Sequence, residues 1–301
     1  MSEPTSLLCE WPEISLRYGL SSDTRLAANA LVRSAMFSTL DFSGAAERSL
    51  VAEPLRISTI KPYRIEQIAG ARLSQSDAEL FFVLLSRLYR NGTPQRGAAV
   101  YFSRREICTE LGRSRGGKTD TLLDESLQRL CSAEFEYEVL GSHHRTTLLS
   151  HADRFIDDRP YDYKITIADL VAPLLEAGEW LVLQGKVRKQ LAADPLAVGL
   201  HAFYASHQRA YPMLTSTLKA LMSRETMQES KWKSALSLAL ERVQAATGWM
   251  QCEVARSGPY EGKVVVQTGI IRRKKPKKTA RPAVDTMDTA GGIDRAESLL
   301  V

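Results

Sequence analysis

The chain is expected to fold as an α+β protein of two similar units, and three observations lead there. Residues 101–130, YFSRREICTELGRSRGGKTDTLLDESLQRL, read as helix, basic turn, helix. A β-hairpin pattern follows that stretch, and a second helix-then-hairpin pattern returns before residue 270. Helix, turn, helix and hairpin in that order predict a winged helix. The expectation is therefore two tandem winged-helix domains, with a weakly ordered N-terminal arm and a basic, disordered C-terminal tail.

Residues 1–60 carry few signals and read as an arm or interaction segment. Within them Leu26 to Leu40 is Ala-rich and suggests a helix with Leu31, Ala35 and Thr39 on one stripe. The first domain is expected over 61–167. Tyr63 to Ile68 alternates as a strand does. Ser76 and Glu79 have capping-box spacing at the start of a helix running to Arg90, with Leu80, Leu84 and Leu88 as its stripe and Asn91-Gly92 as its stop. Val100 to Phe102 is a short strand. Helices over about 104–111 and 117–132 follow, then a hairpin over Glu134–Leu140 and Thr146–Ser150, then a strand over Tyr161–Ile167. The second domain is expected over 168–270, with helices over 169–177, 195–208, 214–222 and 230–246. Trp249–Val254 and Lys263–Thr268 form its hairpin about a turn rich in Gly and Pro. Residues 271–301 make up the tail.

Composition bounds the function. With 44% hydrophobic and 25% charged residues, the chain reads as soluble and globular. No run approaches the roughly 20 apolar residues of a membrane span, and no signal peptide is read, so a cytoplasmic protein is expected. Cys9, Cys108, Cys131 and Cys252 are far apart and form no metal-ligand or disulfide pattern. The net charge of +5 is unevenly placed: eight basic and four acidic side chains in 272–301 supply +4, leaving about +1 for the rest. Any DNA-binding face on the body is thus a local patch.

Gly112, Gly117, Lys118 and Thr119 match the phosphate-binding loop GxxxxGK[ST]. That loop must leave a buried strand, whereas Ser103, Glu106, Ile107 and Leu111 before it have helical spacing. The same atoms serve a second reading. Arg113, Arg115 and Lys118 surround the start of a helix, where free N–H groups and the dipole favour an anion such as a DNA phosphate. Arg129, further along that helix, is a further candidate phosphate contact. In 230–246, Trp232, Leu236, Ala239, Leu240 and Val243 share one face, which should be core. The opposite face carries Ser230, Ser234, Ser237 and Glu241, with Lys231 and Lys233 beside it. Small hydroxyl side chains let a helix approach the major groove and bond base edges, and flanking Lys residues meet phosphates. A merely solvated amphipathic helix has the same period; the place of this helix before a hairpin favours the DNA reading. Arg272, Arg273, Lys274 and Lys275 in the tail are expected to add phosphate contacts without choosing bases.

No catalytic centre, metal or cofactor is read. His143 and His144 are adjacent on a strand, so they point to opposite faces and cannot chelate together. Asp153, Asp157 and Asp158 read as a solvated loop.

Several runs resemble TrfA-type plasmid replication initiators. They are Leu73 to Glu79, Val100 to Arg104, Leu111-Gly112-Arg113-Ser114 with Gly117-Lys118, and Leu123 to Leu130. Trp11-Pro12, Asn29 to Phe37, Tyr211-Pro212, Trp232 to Leu236 and Ala239-Leu240 add to the likeness. It covers about residues 10–270 and is densest in 73–130. It implies two winged helices bound to directly repeated origin sites in double-stranded DNA and opening of an adjacent A·T-rich segment. It also implies recruitment of the host initiator and replicative helicase, and a monomer–dimer balance in which monomers are active. The Gln-containing, Leu-Phe-ending motif for the sliding clamp is not found here. The alternatives are a winged-helix transcriptional regulator and, from a different class, a P-loop nucleotidase.

Overall fold

In this computed structural model, which describes residues 10–14, 19–42, 48, 50–60, 62–114, 116–139, 141–156 and 159–269, Thr24–Ala28 is a strand, β1. A single helical turn, α1 (Asn29–Val32), and the two-residue strand β2 (Phe37–Ser38) follow. The expected helix over Leu26–Leu40 therefore does not form. Alanine favours helix by propensity, but Leu26, Ala27 and Ala28 are fully buried, and tertiary pairing wins. β1 runs antiparallel to a strand far along the chain, from Thr24↔Gln184 to Ala28↔Trp180. Nor do these residues form an arm: Leu31, Ala35, Met36 and Phe37 are built into the first hydrophobic core.

β3 (Leu55–Ile57) and β4 (Arg64–Ala69) are antiparallel, and β5 (Leu73–Ser74) lies parallel to β2. The turn after β4 needs glycine: Gly70 has φ +80°, and a Cβ there would come 2.5 Å from the Ser132 carbonyl oxygen. Helix α2 (Gln75–Leu88) is buried nearly all round, as a helix central to a core must be. Its capping box is Ser74 with Asp77, two residues before the expected pair, Ser76 and Glu79.

β6 (Ala99–Phe102), α3 (Arg104–Leu111) and α4 (Gly117–Ser132) lie where the sequence places them. Ser103 and Glu106 form the expected capping box, and Gly112 ends α3 in the left-handed conformation, φ +69°. β7 (Glu134–Val139) and β8 (Ser142–Thr146) pair as a hairpin, but it joins β3 and β4 in one four-stranded sheet. The hairpin that sits against α4 comes next. It is β9 (Leu149–Arg154) with β10 (Tyr163–Ile167), in the sheet order β6-β10-β9. The hairpin expected over 134–150 is thus not the one that packs against α4.

A 3-10 helix over Asp169–Gly178 and strand β11 (Trp180–Gln184) complete the first core, to which Val171, Leu174, Leu175 and Leu183 belong. The first core therefore runs past the division expected between 167 and 168, and the second core begins with Val187. Helix α5 (Gly185–Leu191) leads to α6 (Pro195–Ala205). Asp194 caps α6, its Oδ1 accepting from the N–H groups of Leu196 at 3.1 Å and Ala197 at 3.2 Å. β12 (Met213–Leu214), α7 (Thr215–Leu221), α8 (Glu229–Thr247), β13 (Gln251–Val254) and β14 (Lys263–Gln267) follow, with sheet order β12-β14-β13.

The two halves repeat one plan: helix, strand, helix, helix, strand, strand. The first runs α2-β6-α3-α4-β9-β10 and the second α6-β12-α7-α8-β13-β14. In both, the last strand lies between the other two. A buried ion triad joins them. Arg25 of β1 and Arg188 of α5 reach Glu79 of α2 at 2.6 Å and 2.8 Å, and both guanidinium side chains are 0% exposed.

Candidate nucleic-acid interface

Helix α8 has the two faces that its sequence implies. Trp232, Leu236, Ala239, Leu240 and Val243 are buried, and Trp232 Nε1 donates to the Thr215 carbonyl at 3.1 Å, fixing α8 on the start of α7. Ser230, Lys231, Lys233, Ser234 and Ser237 all lie exposed on the other side. Ser234 Oγ donates to the Ser230 carbonyl at 3.2 Å, which leaves its oxygen free to accept. Leu238, 48% exposed, stands among these hydroxyls, and an apolar group there can meet a thymine methyl. The neighbouring Lys219 is taken up by Glu229 at 3.2 Å. The β13–β14 turn is held by Gly262 N–H donating to Ala255 O at 2.9 Å, and it presents Arg256 and Tyr260 to solvent.

The first half offers fewer free cations. Lys118 is exposed at the first turn of α4. Arg129 is not: its Nη2 meets Asp77 Oδ1 at 2.9 Å, and Asp77 is fully buried. The same carboxylate accepts from Ser126 Oγ at 2.5 Å and pairs with Arg48 at 2.7 Å. Burial alone would raise the Asp77 pKa, but Arg129 and Arg48 outweigh it and hold the carboxyl below its ordinary value. Arg129 is therefore committed to holding a buried acid. Arg113 is half-buried and lies in the wall of a cleft between the two halves. Arg115, Arg272, Arg273, Lys274 and Lys275 lie outside the described residues, as do Asp157 and Asp158 and the rest of the tail.

The acidic residues of α4 have internal partners that sequence reasoning missed. Arg104 of α3 reaches Asp120 at 3.3 Å and Asp124 at 3.8 Å. Arg154 of β9 reaches Asp124 at 2.8 Å, and Tyr163 of β10 donates to the same carboxylate. These bonds fasten the β9–β10 hairpin to α4 and offset the charge that would repel a phosphate. No local spacing signals them, because the partners come from three separate elements.

The phosphate-loop match lacks its context, since Gly112 follows helix α3 and not a strand. His143 and His144 lie on β8, where His143 approaches Glu136 at 3.6 Å and His144 stacks on Tyr137 with ring centroids 5.1 Å apart. Among the described residues no three His, Cys, Asp or Glu side chains are grouped to hold a metal ion. No helix among them is long and apolar enough to cross a membrane.

Fold and face together define a class: a mixed α/β protein that places a helix beside a hairpin twice in one chain, the second helix basic and hydroxyl-rich. The family model described as TrfA protein matches residues 20–254, and the chain belongs to that family. It is 24% identical over 230 residues to the plasmid replication initiator protein TrfA of Escherichia coli, an alignment that takes in 74% of this chain and 57% of that protein. The chain thus spans little more than half the length of this curated relative. Among solved structures it is similar to domains 2–3 of RctB. One crystal structure, of RctB 155–483, has a TM-score of 0.50 at 15% identity over 73% of this chain and 91% of that one. A second, of selenomethionine derivatives of domains 2 and 3, has 0.52 at 13% identity over 79% and 94%. At these identities the likeness concerns the fold.

Proposed function

We propose that this protein initiates plasmid replication by binding directly repeated origin sites through two winged helices, without chemistry of its own. Membership of the TrfA family supports the replication role. The repeated element order, with the last strand between the other two, supports reading each half as a winged helix. The observation that carries the reading is the exposed face of α8, where Ser230, Ser234 and Ser237 stand between Lys231 and Lys233 beside the β13–β14 hairpin. In the major groove these hydroxyls bond base edges and the lysines meet phosphates. Lys118 adds a phosphate contact at the start of α4, and the tail cations Arg272, Arg273, Lys274 and Lys275 add sequence-blind ones. Acting in the cytoplasm, the bound protein helps open an adjacent A·T-rich segment and recruits the host initiator and replicative helicase. A monomer–dimer balance sets how much of it is active.

The test is base reading by α8. Ser234→Ala combined with Ser237→Ala should weaken binding to the origin repeat by roughly 1–3 kcal/mol for each well-formed hydrogen bond to a base edge that the hydroxyls supplied. Affinity for random DNA should hardly change. Equal weakening on both DNAs in a competition binding assay would remove α8 from base recognition.

A further inference from the structure

Between the two halves lies a cleft of about 350 Å³, within the range of small-molecule sites. Its wall draws on both halves. The start of α2 and the α3–α4 corner face α5 and α6 across it. Four cationic side chains, Arg48, Arg113, Arg188 and Lys189, line it against two carboxylates, Asp41 and Glu79. The carboxylates are already engaged: Glu79 is shared between Arg25 and Arg188, and Asp41 has a partner of its own.

Arg48 is paired with Asp77 at 2.7 Å, but the other three cations are less well matched. Arg188 donates through Nε to Glu79 at 2.8 Å and through Nη1 to the Val198 carbonyl at 2.7 Å. Its Nη2 is buried with no hydrogen-bond partner among the described residues. An unpaired charged N–H in the interior is costly, and such groups call for an explanation. Burial lowers the Arg113 pKa, with Cys108, Asp77 and Glu79 opposing only in part. Lys189 reaches Asp23 only at 3.8 Å, and its stem lies against Gly112, where an added Cβ would come within 3.0 Å of it. Beside these charges stand apolar side chains, Phe42, Leu111, Leu122 and Val198. The Phe42 ring is already stacked by Arg48 at 4.7 Å.

Excess positive charge beside an apolar wall fits a ring that bears a phosphate. We infer that this cleft binds a free mononucleotide, its phosphate on Arg113 and Lys189 with the buried charge of Arg188 behind them, and its base against the apolar side chains. The bound molecule would touch both halves at once and so fix their mutual setting. No bond is made or broken.

The probe is AMP, with adenosine as the uncharged control, titrated into the full chain by equilibrium dialysis. AMP should bind at least tenfold more tightly than adenosine. Arg113→Ala should weaken AMP tenfold or more, and Ala192→Trp, which fills the cleft from its exposed rim, should abolish binding. Circular dichroism confirms that both variants are folded, and the rim variant leaves every cation in place. Absence of AMP binding to the unaltered protein would overturn the inference. So would binding that survives both substitutions, or binding abolished by Lys118→Ala and not by Arg113→Ala, which would put the phosphate on the Gly112–Thr119 loop. An Arg113→Ala protein that loses DNA affinity while the unaltered protein binds no AMP would assign these cations to the DNA backbone instead.

Discussion

Glu79 lies between two guanidiniums that water does not reach, Arg25 at 2.6 Å and Arg188 at 2.8 Å. Burial by itself would raise its pKa; Arg188 and Arg25 outweigh that and hold the carboxyl below its ordinary value. A carboxylate depressed in this way contributes stability at pH above its unfolded pKa, near 4, and the contribution fades as pH falls through the folded value. Removing one member of a buried ionic group strands the others. Glu79→Gln should therefore cost roughly 3–5 kcal/mol at neutral pH, read by urea denaturation. A cost under about 1 kcal/mol, the range of exposed pairs, would mean that water screens the triad. His201 acts at higher pH. Burial first, and Arg188 second, lower its pKa to about 3, so it stays neutral in the folded chain. The unfolded chain takes up that proton below about pH 6.5, and stability then falls by up to about 1.4 kcal/mol per pH unit. His144 and His207, also lowered by burial, share the slope. His201→Gln should flatten the decline between about pH 6.5 and 5, above the range where Glu79 and Asp77 protonate. An unchanged slope would assign the decline to other groups.

The elements legible from sequence are those whose signals are local. α3 and α4 have the expected bounds because a capping box opens the first and a glycine closes it. α8 extends one residue beyond expectation at each end, and its apolar stripe repeats through about three turns. That stripe also marked out the Ser and Lys face, so this part of the candidate site could be read without coordinates. What escaped depends on distant partners. β1 is a strand because β11 pairs with it, and nothing within five residues of Ala27 reports that. α5 is too short to show a period, and β2, β5 and β12 have two residues each. Two hairpins follow α4, and only their sheet partners decide which packs against it. Arg129 looked like a surface cation because Asp77, its buried partner, is 52 positions away. At the scale of α4 the remaining cation is Lys118. Lys118→Ala should weaken DNA binding and lower the salt slope, log affinity against log salt, by about one. An unaltered slope in a salt titration would leave the start of α4 without a phosphate.

At the scale of the whole molecule, two cores meet through a buried ion triad and a cleft, and both halves carry the same order of elements. The proposed reading sets the two units on successive major-groove faces about one helical turn apart, roughly 10–10.5 base pairs. The unequal faces imply a division of labour. On the proposed reading α8 supplies hydroxyls for base edges, whereas α4, whose charged residues are committed to Asp77, Arg104 and Arg154, supplies Lys118 to the backbone. Specificity should then come mainly from the second unit, and affinity from both. The measurement that tests this most directly is a footprint of the full chain on the DNA of its own replicon, beside a shuffled sequence of equal composition. The expected result is protection of directly repeated sites next to an A·T-rich stretch, each covering two adjacent major-groove faces and absent from the shuffled DNA. Protection that is indifferent to sequence, with equal affinity for both DNAs, would contradict it.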